Sequence, residues 1–437
     1  MKRNVINKLI QWKKTKKHKP VLLTGVKGVG KTYLAFDFSN AFFENIIYIN
    51  FEHQNNIEKF FEIRDTIEIR DKLIEVNLFI PNDNKKDEIN FSQSILILDE
   101  VPNKKLILEK IDLLYKKDIF PYIIMISSGS THVDFPECLK NFKHITLHPF
   151  SFDEFLRAIN YDWYIGTIKT HYENNTKIPD ILHKELLQLH DLYLQIGGMP
   201  SLINEYLSLL TTINLAEQHK ALVGSYYNYI LENDLEAQAL KMKQVLESLP
   251  QQLIKDNKKF QYKIIRKGTT YAMYRDAIKN LIDGGYILRS NKIRTEDLVS
   301  LSNKDKRDIK LKKNNSFKLY MPDVGLLYTG LIEEGAQYKD LSMSKALLEN
   351  YIGQTLHSSG YPLYFWESRS MAKIEFIIKK DKTFIPIEVH ASSNTRSKSI
   401  SVLKQSIDFP YGIKISSRNF SFSNDIKYVP YYAAFCI

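Results

Sequence analysis

Cysteine is nearly absent from this 437-residue chain, with Cys138 and Cys436 standing far apart in sequence. That scarcity excludes a disulfide framework and any cysteine-built zinc cluster, and it suits a reducing cytosol. Long hydrophobic runs are missing too. No stretch approaches the roughly 18 apolar residues that a membrane span needs, and the run opening at Val21 ends before Thr24, too short for a secretion signal. The expectation is a soluble, cytoplasmic protein with no membrane partner. Acid is missing from the first 19 residues, where Lys2, Arg3, Lys8, Lys13, Lys14, Lys16, Lys17 and Lys19 supply eight of the net +11, so the other 418 residues carry +3. A uniformly basic, nucleic-acid-coating chain is thereby excluded. Internal repeats and low-complexity segments are also lacking. Hydrophobic residues at 44% and charged residues at 25% exclude wholesale disorder. The length exceeds a single core and predicts two to four domains.

Short apolar strands alternate with amphipathic stretches through the first 150 residues: Val21–Thr24, Ile46–Phe51, Ile95–Leu98 and Tyr122–Ile126 as strands, and Lys31–Phe43 as a helix. That alternation predicts an α/β unit, a parallel sheet covered by helices. Beyond Ser151 the period is helical, as in Ser151–Asn160 and Lys184–Ile196. Gly197-Gly198 followed by Pro200 is a helix stop and start. Ala239–Leu249 and Thr270–Asp283 read as helices, Tyr286–Ile293 and Ser316–Met321 as a hairpin around a long polar loop, 294–315. A last stretch reads as a helix at Lys345–His357 and strands at Leu363–Trp366, Ile374–Ile378 and Ile385–His390.

The strongest local signal is Gly25-Val26-Lys27-Gly28-Val29-Gly30-Lys31-Thr32, a complete G-x-x-x-x-G-K-[ST] between a strand and a helix. Glycines let the backbone close around a phosphate and aim amides at it, at a helix N-terminus that already favours anions. Residues Gly25 through Thr32, with Tyr33 following, are therefore the expected nucleotide-binding set. Lys31 would reach the β- and γ-phosphates, and the Thr32 hydroxyl would ligate Mg²⁺. Ser94-Ile95-Leu96-Ile97-Leu98-Asp99-Glu100 supplies a buried strand ending in two acids, at the carboxyl end where ligands of open α/β sheets sit. Asp99 is expected to hold Mg²⁺ and Glu100 to polarise the attacking water as general base. After Tyr122–Ile126, Ser128 reads equally as a residue sensing the γ-phosphate or as part of a plain serine-rich turn.

On these residues the chain resembles the prokaryotic AAA-type ATPases that carry a C-terminal domain of unknown function with a nuclease-like end. TGVKGVGKTYLA, IIYINFE, ILILDE, SSGS, LHPFSFDEFLRA, IGGMPSLINEYL, FKLYMPDVGLL and LLENYIGQTL through PIEVH follow in the family's order. The resemblance implies ATP and Mg²⁺ as cofactors and an ASCE-type P-loop NTPase sheet over residues 1–150. It further implies a helical lid over 151–234, a winged-helix-like module over 235–325, and a restriction-endonuclease-like domain over 326–437. Gly198-Met199-Pro200 is similar to a Gly-x-Pro element of signal-transduction ATPases, which implies a nucleotide contact at Pro200. Where the family shows a Gly-Arg pair, this chain has Lys140-Asn141-Phe142-Lys143, so no arginine finger is assigned.

The nuclease-like resemblance implies a helical Glu, an Asp, and Glu-x-Lys around a metal. Glu349 fits the first position, Glu375 stands where aspartate is usual, and Glu388 is followed by His390 in place of lysine. These glutamates form a candidate second metal site, with the fixed positive charge lost to a histidine that is mostly neutral at pH 7. A retained fold used for docking on a protein partner is the expectation over active cleavage. Basic clusters at 2–19, Lys255–Lys267 and Lys304–Lys313 read either as DNA or RNA phosphate contacts or as solvated lysine-rich surface. The expected activity is ATP hydrolysis. The rival readings are an ATP-bound interaction switch and an ATP-gated nuclease, and homo-oligomers remain open in each.

Overall fold

A computed structural model describes residues 2–16, 19–54, 56–77, 89–128, 142–212, 214–301, 316–337, 340–368, 372–380 and 383–437. The chain divides into two compact units, one of Lys2–His148 with Asp283–Gly285, the other of Pro149–Ile282 with Tyr286–Ile437.

The first unit runs α1 (Ile6–Lys14), β1 (Val21–Thr24), α2 (Lys31–Phe42), β2 (Asn45–Asn50), α3 (Ile57–Phe60), α4 (Thr66–Glu75), β3 (Ser94–Asp99), α5 (Lys105–Lys116), β4 (Tyr122–Ser127) and β5 (Lys143–Thr146). Its five strands form an all-parallel sheet in the order β2-β3-β4-β1-β5. Parallel strands covered on both faces read as near-continuous apolar runs, and every residue of β1 and β3 is buried, the polar ends Thr24, Ser94 and Asp99 included. The order sets β4, which ends at Ser127, between the phosphate-loop strand β1 and the acid-ended β3. On one face Leu22, Ile47, Leu96, Leu98 and Ile123 pack with Ile107, Ile111 and Leu114 of α5. Within the basic N-terminal segment, Ile6–Lys14 form a packed helix. Leu9 and Trp12 are buried, the indole lies edge-on to Tyr122 at 5.8 Å, and its N–H donates to the Lys19 carbonyl at 2.6 Å. Burying such a ring contributes roughly 1.5–3 kcal/mol, so Trp12 anchors the cations to the unit.

The second unit begins with α6 (Phe152–Ala158), α7 (Trp163–Asn174), α8 (Asp180–Ile196), α9 (Pro200–Leu209), α10 (Leu215–Asn233), α11 (Glu236–Leu253), α12 (Tyr262–Ile265) and α13 (Tyr271–Asp283). It continues through β6 (Leu288–Lys292), α14 (Thr295–Leu301), β7 (Phe317–Tyr320), α15 (Val324–Glu333), α16 (Leu341–Ser358), β8 (Leu363–Glu367), β9 (Lys373–Ile374), β10 (Phe376–Lys380), β11 (Thr383–Val389), α17 (Ser399–Lys404), β12 (Gly412–Ser416), β13 (Ser421–Ser423) and β14 (Ile426–Pro430). Two sheets result, β7-β6-β8-β9 and β10-β11-β12-β14-β13. The expected hairpin exists as antiparallel β6 and β7, yet it is not a free wing, because β8 pairs in parallel with the other edge of β6. One sheet thus joins stretches expected to be a winged-helix-like module and a nuclease-like end. The expected polar loop opens instead with the helix α14, because Leu298 buries against Ile293, Trp366 and Ile374. The strand expected over Ile374–Ile378 breaks at Glu375: β9 pairs with β8, whereas β10 pairs with β11.

Candidate functional site

The phosphate loop takes the conformation its glycines allow. Gly25 has φ 147°, Gly28 80° and Gly30 93°, and a Cβ on Gly25 would lie 2.3 Å from the Leu147 carbonyl oxygen. Only glycine fits there. Gly30 precedes the first turn of α2, so the amides of that turn open at the loop. Lys31 is buried and donates to the carbonyls of Gly25 at 2.9 Å and Val26 at 3.1 Å. Burial pushes its ammonium down to about 8, against the opposing pull of Glu100 and Asp99. Lys27 forms a longer, half-exposed pair with Glu52 at 3.7 Å.

Thr32 and Asp99, 67 positions apart, meet because β3 carries Asp99 to the sheet edge at which α2 begins. The Thr32 hydroxyl donates to Asp99 Oδ2 at 2.7 Å. The buried Asp99 also receives the Tyr48 hydroxyl at 2.9 Å on Oδ2 and the Glu100 amide at 3.0 Å on Oδ1. Glu100 adopts φ 49°, a left-handed conformation that costs a non-glycine residue about 1–3 kcal/mol and clusters at functional sites. Both its carboxylate oxygens accept from Ser128: the amide donates to Oε2 at 3.0 Å and the hydroxyl to Oε1. Burial raises the Glu100 carboxyl, with Lys31 and Ser128 opposing that rise. A glycine cradle, a buried lysine, a Thr–Asp pair and a proton-avid carboxylate together fit a magnesium nucleotide. Thr32 and Asp99 would hold the ion, which would supply charge neutralisation on the phosphates.

Sequence reasoning missed Tyr48 and Asn50. The available signal was polar residues ending an apolar strand beside β3, where register pairs Asn50 with Asp99. The structure gives Ser128 a partner, Glu100, that the SSGS turn did not suggest. Lys140 and Asn141, which stand where the resembled family has a Gly-Arg pair, lie outside the described residues. Pro200 belongs to the second unit and starts α9. The glycines before it are explained by close approach within that unit. Asp323 Oδ2 accepts the Gly198 amide at 2.6 Å, the Phe150 amide donates to the Gly198 carbonyl at 2.7 Å, and a Cβ on Gly197 would lie 2.1 Å from Asp323 Oδ1.

The candidate second metal site at Glu349, Glu375 and Glu388 is not assembled. Among the described residues no group of three or more His, Cys, Asp or Glu side chains is placed to hold a metal ion. Two of the three glutamates are neutralised by lysine. Glu349 Oε1 accepts from Lys318 at 2.8 Å and Tyr320 at 2.7 Å, and Oε2 faces Lys258 at 3.2 Å. Burial alone would raise Glu349, but Lys318 and Lys258 pull it below the usual range. Glu388 accepts from His390 at 3.0 Å, Ser397 at 2.9 Å and the Ile400 amide at 3.0 Å, with Lys414 at 3.3 Å. The fixed positive charge thought lost to His390 is thus present, on the neighbouring strand, where register pairs Lys414 with Glu388. Glu375 is partly buried and accepts the Val389 amide at 3.2 Å. Burial, then the neighbouring Glu349, pushes it up to about 7.

The basic clusters are partly consumed internally. Lys258 serves Glu349, and Lys259 pairs with Glu367 at 2.7 Å. On α13, Arg275 pairs with its neighbour Asp276 at 2.9 Å. Lys304–Lys313 lies outside the described residues. No helix among the described residues is long and apolar enough to cross a membrane.

Family models match three segments: an AAA domain over residues 17–156, a domain of unknown function (DUF8612) over 187–334, and another (DUF4143) over 344–434. No curated protein matches the chain. Among solved structures, a Walker-type ATPase of Pyrococcus abyssi aligns at 15% identity over 75% of this chain and 95% of its own, with a TM-score of 0.43. A signal-transduction ATPase with a tetratricopeptide-repeat sensor, from Pyrococcus horikoshii, aligns at 13% identity over 82% of this chain and 45% of its own, TM-score 0.28. The RuvB Holliday-junction branch-migration motor of Thermotoga maritima aligns at 13% over 66% and 90%, TM-score 0.33. With the complete phosphate loop, the five-stranded parallel sheet and the family match over the same residues, the N-terminal unit of this chain is an AAA-type P-loop ATPase domain.

Proposed function

We propose that the protein is a Mg²⁺-dependent ATPase whose nucleotide state controls its second unit. The observation that carries the reading is the convergence of Lys31, Thr32, Asp99 and Glu100 at the carboxyl ends of β1 and β3. Lys31 is mostly cationic at pH 7 and would exchange its loop carbonyls for phosphate oxygens. Thr32 and Asp99 would hold the ion, and Glu100 would take the proton of the attacking water. Each Glu100 oxygen accepts one donor from Ser128 and has a second lone pair for the water, while the γ-phosphate, an acceptor like the carboxylate, would compete with Glu100 for the Ser128 amide and hydroxyl.

ATP turnover of wild type and Glu100→Gln tests the reaction. The expected outcome is a loss of turnover with nucleotide binding kept, and equal background rates in both would refute hydrolysis. Lys31→Ala is expected to lose binding itself. Control of the second unit is read by hydrogen exchange of residues 149–437 with and without ATP, where identical protection would refute it.

A second reading, an ATP-bound switch that recruits a protein partner with little turnover, is favoured by one observation, the hydrogen bonds from Ser128 that hold both Glu100 oxygens in place. Turnover that stays at background with and without DNA or RNA, despite ATP binding, would select it. ATP-gated nucleic-acid cleavage gains no such support, because lysines neutralise Glu349 and Glu388.

A further inference from the structure

Asp99 receives three donors, and one of them, Tyr48, belongs to neither the phosphate loop nor the acidic strand. Tyr48 lies on β2, and its ring packs against Phe36 of α2 with centroids 4.9 Å apart. A phenylalanine would serve that packing equally well, so the hydroxyl needs its own account. Its backbone amide donates to Asn77 Oδ1 at 3.0 Å, and Asn77 Nδ2 donates in turn to the Ile46 carbonyl at 3.1 Å, which pins this stretch of β2.

The direction of the hydroxyl proton follows from Asn50. Asn50 Oδ1 accepts the amides of Glu52 at 2.8 Å and His53 at 3.1 Å, so this end of the side-chain amide is the oxygen. Its other end, Nδ2, can only donate, and it stands 3.0 Å from the Tyr48 oxygen. Tyr48 therefore accepts from Asn50 and has its own proton left for Asp99 Oδ2, 2.9 Å away. Two backbone amides after β2 thus fix the polarity of a relay, Asn50 to Tyr48 to Asp99. The same carboxylate oxygen receives Thr32, the other residue expected to hold the cation.

We infer that Tyr48, oriented by Asn50, is a positioning residue that sets how tightly Asp99 holds the divalent cation of a bound nucleotide. This deepens the ATPase reading and rests on it. Tyr48 touches neither the phosphates nor the attacking water in this scheme; it acts through Asp99. Without its hydroxyl, Oδ2 keeps only Thr32 and the carboxylate is freer to turn. Hydrogen-bond partners of metal-holding side chains typically control metal affinity by about 10–100-fold.

The test uses the full chain and Tyr48→Phe. Binding of a fluorescent ATP analogue is measured in EDTA, and Mn²⁺ uptake by the protein–ADP complex is followed by electron paramagnetic resonance of the free ion. The expected result is an EDTA affinity within about twofold of wild type and a Mn²⁺ half-saturation raised about tenfold or more. Phe36→Leu, which disturbs the ring packing and leaves the hydroxyl, is expected to lower the melting temperature and leave the Mn²⁺ half-saturation in place. An unchanged Mn²⁺ half-saturation in Tyr48→Phe overturns the inference, as does an equal loss of affinity in EDTA. If wild type binds no nucleotide even with Mn²⁺, the ATPase reading itself falls, an outcome distinct from both.

Discussion

Replacing Glu349 with alanine is expected to destabilise the second unit by about 3–5 kcal/mol, the usual cost of breaking a buried ion pair from one side. The size follows from the contacts. Glu349 gives one oxygen to Lys318 and Tyr320 and faces the other to Lys258, and the three charged side chains are only 7–11% exposed. Alanine would leave two ammonium groups and a phenol buried without an acceptor, whereas an exposed pair would cost at most about 1 kcal/mol. The chain has two units, so a melting curve alone does not say which of them is weakened. Hydrogen exchange of amides in α16 and β7 reads the loss where it occurs. Glu349→Leu combined with Lys258→Met, Lys318→Met and Tyr320→Phe should recover most of it, because apolar replacement of a whole buried cluster is often neutral or stabilising. The reasoning is refuted if Glu349→Ala costs less than about 1 kcal/mol or stabilises the unit. Such a gain would be the mark of carboxylates held in mutual repulsion for a metal.

Three further outcomes are expected. Nucleotide affinity in EDTA should fall as pH rises through about 8, because the depressed Lys31 ammonium then loses the proton that attracts phosphate; a flat profile between pH 7 and 9 would refute that assignment. Gly25→Ala should lose nucleotide binding and lower the melting temperature, since its Cβ would press on the Leu147 carbonyl at a φ that side chains rarely adopt; wild-type binding by this variant would contradict the geometry. Glu375 holds its proton more tightly folded than unfolded, so its contribution to stability is present below about 4.5 and declines as pH rises towards about 7. Glu375→Gln should therefore be more stable than wild type at pH 8 and show a smaller fall between pH 5 and 8, checked by melting curves at each pH.

The parallel sheet and the phosphate loop were legible because their signals are local. β1, β3 and β4 are continuous apolar runs, and α2 starts where Gly30 ends. The second unit was read less well, for a physical reason. Its hairpin, its long helix α16 and the strand after it were visible one at a time, but which strand covers β6 depends on pairing between segments some 70 residues apart. Glu375 reads as mid-strand from its apolar neighbours, yet the chain changes sheets there. His390 in place of lysine suggested a missing charge, and only the register of β11 with β12 brings in Lys414.

The sequence by itself determined that a nucleotide phosphate has a place to bind, because eight consecutive residues carry the turn, the amides and the lysine. It also determined that two acids close a buried strand. Tertiary structure decided how those acids are held. Tyr48 reaches Asp99, Ser128 occupies Glu100, and the buried glutamates of the second unit are answered by lysines from other strands and loops. Each of these depends on the register in which distant segments meet. A residue's own neighbours in sequence set its conformation, but its charge is balanced by whatever the fold brings alongside.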